Sequence, residues 1–342
     1  MPKNKFLYIS LSLVVSVLLI WLLLSQIKIE DLIRTFRQIY WPALLAYLAV
    51  TLLGTGLRAW RYKWLLQPQP VSWANIILVT FVRNSLVDLL PLRIGSLSYI
   101  YILNKRLNFT FEMATSTFVL AFVFDFLTLG PFLILAILAV GLGKISISNF
   151  TLLFLALLFF LINFLVLWKI IPVFSFLIRI FQSFLKVFKL ERKNWAKISV
   201  EKAKSTLSSF AGIQKRKIYF PVFLLSLLVR LAKYIAVFCL LFSLLRSQGF
   251  IFNVLNFWKT NLGLTGAELT SILPIKGLAG FGTWESAWAL TLELMKFSPQ
   301  IAIISGIGVH FITNFFEYTL GIASLFILAL PLFREKRQRG QG

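Results

Sequence analysis

The strongest constraint in this chain is a succession of apolar blocks, several of them long enough to cross a bilayer. A helix through a hydrocarbon core of about 30 Å needs roughly 20 predominantly apolar residues, and residues 6–26 carry no charge at all. Further blocks cover residues 40–57, 73–90, 113–141, 150–168, 218–245, 257–295 and 301–333. Composition agrees: 59% of the 342 residues are hydrophobic and 14% are charged, where a soluble domain would carry about 45–50% and about 25%. Segment 6–26 is too long for the apolar core of a signal peptide and no small-x-small cleavage pattern follows, so it reads as a retained first span. The expected fold is an all-α polytopic membrane protein, a single membrane domain over residues 1–342 with about six to eight transmembrane helices.

Two blocks do not read as ordinary spans. Segment 73–90 contains Arg83 and Asp88 and stops at Pro91, which makes it too polar to face lipid. Segment 257–295 is rich in glycine. Both are read as re-entrant or broken segments, with a plain span as the alternative for the first. On that basis, with both termini cytoplasmic, 24 Lys and Arg fall on the cytoplasmic side and six on the outer side, the asymmetry that orients membrane proteins.

The net charge of +23 would suggest nucleic acid in a soluble chain. Beside lipid-sized apolar blocks it suggests anionic headgroups instead, so no nucleic-acid partner is expected. Residues 169–217 carry twelve basic residues against Glu191 and Glu201. The segment begins with Phe174, Leu177, Ile178, Phe181, Leu185 and Phe188 at helical spacing, the pattern of an amphipathic helix lying on the anionic cytoplasmic leaflet. One cysteine and one histidine exclude an internal disulfide framework and argue against a multi-His metal site. No cofactor is expected, and Gly277-x-x-Gly280-x-Gly282 lacks the βαβ context of a dinucleotide fingerprint.

The chain also repeats itself. Arg58-x-x-Arg61-Tyr62 matches Arg230-x-x-Lys233-Tyr234, Leu89-Leu-Pro91-Leu-Arg93 matches Ile272-Leu-Pro274-Ile-Lys276, and the run from Phe124 to Gly130 resembles Phe316 to Gly321. The order is the same in both halves, which defines repeat one over about 40–141 and repeat two over about 218–331. The leading helix of one runs outward to inward and that of the other inward to outward, so the repeats are inverted. Inverted repeats with broken segments in matching positions point to a transporter whose site lies near the membrane midplane.

Within these segments stand charges that lipid does not tolerate unpaired, at about 2.5–3.5 kcal/mol each on insertion scales. Arg83, Asp88, Asp125, Arg230, Lys233, Glu268, Lys276, Glu285, Glu293 and Glu317 are of this kind. Asp125 and Glu317 occupy equivalent places in the two repeats. The alternatives are ion pairs that lock helices together, or cations that hold a headgroup phosphate with acids to balance them. Arg58, Arg61 and Lys63 stand at a span border, where anchoring on the cytoplasmic side is at least as good a reading as ligand contact. Glu293 reads as solvated and His310 as a packed helix residue.

Pro91-Leu-Arg93-Ile-Gly95, Asp125 within a span, and Pro274 followed by Gly280-Phe-Gly282-Thr-Trp-Glu285 together resemble the lysylphosphatidylglycerol synthase transmembrane, flippase-like family. The resemblance runs from about Trp41 to Leu330. It implies a multi-pass inner-membrane protein that moves lipids between leaflets, with Arg93, Gly95, Asp125, Gly282 and Glu285 as matched positions. Two departures stand out. The soluble transferase domain of the two-part relatives is not expected here, because the chain stops about ten residues after its last span. Ser96-Leu-Ser-Tyr99 replaces the frequent Glu-x-x-Arg, and Asp125 lacks the usual upstream Arg. The expected function is transbilayer movement of a phospholipid or lipid-linked amphiphile by alternating access, without enzymatic activity. The alternatives are a non-transporting partner of a separate lipid synthase, and an integral-membrane lipid transferase. Arg83, Asp88, Arg93, Gly95, Asp125, Arg230, Lys233, Lys276, Gly282, Glu285 and Glu317 form the expected substrate site.

Overall fold

The computed structural model describes residues 3–87, 89, 91–141, 147–270 and 277–330. They form thirteen α-helices and no strand among the described residues. Helix α1 (Lys3–Leu24) is followed by α2 (Ile29–Arg37), and the two meet at a bend of 88°. Then come α3 (Trp41–Leu66), α4 (Trp73–Val87), a 3-10 turn (Pro91–Leu97), α5 (Ser98–Arg106), α6 (Phe111–Gly141) and α7 (Ile147–Trp168). Two helices, α8 (Ile170–Val187) and α9 (Asn194–Lys215), precede α10 (Tyr219–Leu245), α11 (Val254–Leu269), α12 (Thr283–Leu294) and α13 (Pro299–Ala329). Six helices are long and apolar enough to cross a membrane among the described residues, and the bent α1–α2 pair brings the number to seven.

The order from α3 to α6 parallels the order from α10 to α13: a long helix, two short ones, and a closing helix of 31 residues. Helix α4 has 15 residues, about 22 Å at 1.5 Å per residue, which falls short of the hydrocarbon core. Helix α5 packs back against it. Helices α11 and α12 likewise lie against each other, joined through Gly280 and Gly282 at φ +85 and +87. Segment 257–295 is thus broken between α11 and α12, as its glycines predict, whereas 73–87 is one short continuous helix and the turn follows it at Pro91–Leu97. Of the two proline breaks, the first is the 3-10 turn Pro91–Leu97; residues 272–276 of the second lie outside the described residues.

Helices α3 and α10 make the most extensive contact in the bundle. A small-residue pair allows it, since a Cβ on Gly54 would stand 3.3 Å from that of Ala232. The α4 helix packs on α13, and α11 on α6. One buried cluster joins α3, α4, α5 and α6 through Tyr62, Leu66, Val79, Tyr99 and Phe124. A second joins α10 to α13 around Leu241, Trp288 and Val309. The first helix docks on the second of these blocks, where Ser16 Oγ donates to the carbonyl of Phe281 at 3.1 Å. Outward-facing Phe150, Phe154, Leu157, Leu161 and Phe164 of α7 remain exposed in the isolated chain, the surface a lipid-facing helix requires.

Three sequence expectations change in detail. The block read as ending at Leu57 continues as α3 to Leu66, because the arginines beyond Leu57 find partners inside the bundle. Gly130-Pro131, a pair that in sequence signals a kink, does not interrupt α6; a Cβ on Gly130 would stand 2.6 Å from Phe160 Cβ of α7. The basic segment 169–217 holds two helices, and Ile170, Ile178 and Leu185 are the residues α8 buries, whereas Leu177 and Phe188 stay exposed.

Two glycines carry the breaks. A Cβ on Gly95 would lie 1.6 Å from the carbonyl oxygen of Leu86, and one on Gly282 would lie 2.7 Å from Leu19 Cβ. Gly95→Ala is therefore expected to abolish monodisperse folded protein on size-exclusion chromatography. Gly56→Ala, at a helical site with nothing within 4 Å, should leave the elution profile unchanged and raise the thermal midpoint slightly, by the ~1 kcal/mol that separates Ala from Gly in a helix.

Candidate functional site

The bundle centres on one ion pair. Asp125 is fifteenth of the 31 residues of α6, and Arg61 of α3 reaches it with Nη1 at 2.6 Å from Oδ1 and Nη2 at 3.3 Å from Oδ2. The Arg61 side chain is wholly buried. Its Nη1 also donates to Ser226 Oγ of α10 at 2.9 Å, so one guanidinium ties three helices together. Such two-point pairing fixes geometry as well as charge. The upstream Arg that Asp125 lacks in its own helix is supplied in space by α3.

Beside this pair lies a cavity of about 180 Å³ bordered by α3, α4, α6, α10, α11, α12 and α13. Its cations fall into two groups. Lys233 of α10 pairs with Glu268 of α11. By contrast, Arg58 and Arg83 both donate to one neutral acceptor, Asn84 Oδ1, at 2.6 and 3.3 Å. Arg230 donates to neutral groups as well: Thr128 Oγ1 at 3.3 Å, Tyr234 OH at 3.4 Å, and the backbone carbonyl of Asp125. The Nε atoms of Arg58 and Arg83 and Nδ2 of Asn314 are buried without a hydrogen-bond partner among the described residues.

Of the residues singled out by sequence, Arg83, Asp125, Arg230, Lys233 and Glu317 line this one cavity. Gly95, Gly282 and Glu285 belong to the broken segments. Glu285 is fully buried and accepts from the Gly282 backbone N–H at 2.8 Å with one oxygen, while the other lies 2.6 Å from His310 Nδ1. It closes the N-terminus of α12 and ties it to α13. Asp88 and Lys276 lie outside the described residues, as does the side chain of Arg93. His310, read as a packed residue, is buried, stacks on Trp284 with ring centroids 4.7 Å apart, and lines the cavity.

Sequence reasoning left Arg58, Asn84, Trp284 and Glu268 off the site. Arg58 and Arg61 are not border anchors; both turn inward, and only Lys63 of that trio reaches outward, to the Val71 carbonyl and over the Trp73 ring at 5.4 Å. The signal was present, because Arg58 and Arg61 are the repeat partners of Arg230 and Lys233. Among the described residues no three His, Cys, Asp or Glu side chains gather as metal ligands would.

Compared with known proteins, the chain matches the family described as the lysylphosphatidylglycerol synthase TM region over residues 9–321. No curated protein matches it.

Removing one member of a buried ion pair leaves the other uncompensated, at about 3–5 kcal/mol. Asp125→Asn is expected to lower unfolding stability by about 3 kcal/mol. Asp125→Asn combined with Arg61→Gln should cost less than the two single changes together. Denaturant unfolding in detergent, followed by tryptophan fluorescence, measures both; strict additivity would contradict the pairing.

Proposed function

Because the chain belongs to the lysylphosphatidylglycerol synthase TM-region family, we propose that this multi-pass membrane protein carries a phospholipid or lipid-linked amphiphile from one leaflet to the other. One observation carries the reading: a charged cavity bordered by helices of both halves of the chain, α3, α4 and α6 from the first and α10, α11, α12 and α13 from the second. A polar headgroup moving through hydrocarbon needs such a lining, because each uncompensated charge costs several kcal/mol there. The acyl tails need no enclosure, and the apolar outer face of the bundle leaves them in lipid.

The matching element order of the two halves supports an inverted repeat, with repeat one over about 40–141 and repeat two over about 218–331. In that reading the α3–α10 contact is the hinge and the broken segments are the gates, each half rocking against the other around a fixed site. The glycine turn of the second break rests on α1 through Ser16 and Leu19. The first helix then follows the movement of α12.

The basic helices α8 and α9 fit a position along the anionic cytoplasmic leaflet of the plasma membrane. Arg179 stands in the middle of α8, while Phe176, Ile180 and Phe184 face outward, an arrangement suited to the headgroup boundary. Both termini are then cytoplasmic. Cysteine placed at Lys193 is expected to resist a membrane-impermeant maleimide in intact cells and to react after lysis. Cysteine at Glu30 should react in intact cells. The reverse pattern would overturn the orientation.

Arg230→Ala, at normal expression and with the wild-type elution profile, should reduce transbilayer movement of a headgroup-labelled lipid in proteoliposomes to the rate of empty vesicles. Movement at the wild-type rate would refute this site assignment.

A further inference from the structure

The charges around the cavity do not balance. Arg61 is neutralised by Asp125 and Lys233 by Glu268. That leaves Arg58, Arg83 and Arg230, none with a carboxylate in hydrogen-bond range among the described residues, and Glu317 as the one further acid lining the cavity. Glu285 stands behind the lining, engaged by Gly282 and His310. Among the described residues lining the cavity, three cations without a paired carboxylate face one further acid, an excess of two positive charges.

Arg58 and Arg83 are also pre-aimed. Each gives one N–H to the same amide oxygen, so the most by which their Nη1 atoms can be separated is the sum of the two distances, about 6 Å. Two charge-assisted hydrogen bonds of about 2.7–2.9 Å, made to different oxygens of one phosphate, span that gap. Asn84 holds the two like-charged groups together without neutralising either. Arg83 is only 7% exposed, and its Nε and that of Arg58 retain unused donors. A buried guanidinium with unspent donors and no carboxylate in hydrogen-bond range is strongly favoured when an anion enters.

We propose that Arg58, Arg83 and Asn84 form a subsite for a dianionic phosphate, that is, a phosphate monoester or a pyrophosphate, rather than the singly charged diester of an ordinary phospholipid. The inference rests on the translocation reading only for the lipid tail of the ligand; the anion subsite stands without it. Among lipid-linked amphiphiles it selects those whose phosphate is terminal or doubled.

The test uses the full-length protein in detergent and three probes: dodecyl phosphate, its methyl ester, and inorganic phosphate. The two esters share the tail and differ in charge, because a monoester loses its second proton near pH 6. Dodecyl phosphate is expected to bind about tenfold or more tightly than the methyl ester at pH 8, as the loss of a charged hydrogen bond implies. That advantage should shrink toward pH 5. Arg58→Gln and Arg83→Gln should each abolish most of it, with Arg83→Lys retaining part. Equal affinity for the two esters at pH 8 overturns the proposal, and that comparison needs no variant to fold. An unchanged preference in folded Arg83→Gln overturns it too. Inorganic phosphate binding as tightly as dodecyl phosphate supports the subsite but removes the lipid from it, and so counts against translocation. Diester preference together with active translocation overturns the subsite and leaves translocation standing.

Discussion

Everything in this bundle depends on placing a guanidinium and a carboxylate opposite each other where water is scarce. The Arg61–Asp125 pair joins the C-terminal part of α3 to the middle of α6, with Ser226 of a third helix completing the coordination. In such surroundings each charge alone is prohibitive, and together they are tolerable only in good geometry. That requirement sets the register of α3 against α6 and, through Ser226, of both against α10. Register in turn decides where Arg58 and Arg230 stand, since they share those helices.

The cavity follows from the same constraint. Once α3, α6 and α10 are fixed, the short helices α4 and α11 fill only part of the remaining volume, because each is shorter than the membrane is thick. The space they leave is lined by groups that cannot face lipid. Glycines at the breaks let backbone approach backbone where a methyl group would collide, at Gly95 against Leu86 and at Gly282 against Leu19. Glu285 shows how buried polar groups are spent on the frame: one oxygen caps α12 and the other holds His310. Its burial is as complete as that of any site residue, yet its role is to hold the elbow.

The two halves use their shared motif differently. Arg61 finds its acid on α6, the closing helix of its own half, whereas its counterpart Lys233 finds Glu268 on α11. Arg58 rests on an amide, and its counterpart Arg230 on hydroxyls and a backbone carbonyl. A perfectly symmetric arrangement would present two equal sites; the asymmetry leaves Arg58 and Arg83, on the wall formed by α3 and α4, without a carboxylate in hydrogen-bond range among the described residues.

Much of this was legible from the chain alone. The length and apolarity of the blocks set the all-helical membrane fold, because only helices satisfy the backbone inside a bilayer unless a barrel closes. The polarity of segment 73–90 and the glycines of 257–295 marked the broken segments, and charges within apolar stretches marked the residues that must turn inward. What no local pattern carried was partnership. Arg58 and Arg61 look like border anchors in sequence, because a cation at the end of an apolar run is the usual sign of the membrane edge. Only packing shows that α3 continues past them and that one pairs with a carboxylate while the other rests on an amide. Neutralisation depends on distances between residues far apart in the chain, 64 positions for Arg61 and Asp125 and 35 for Lys233 and Glu268, and those distances exist only in the folded bundle.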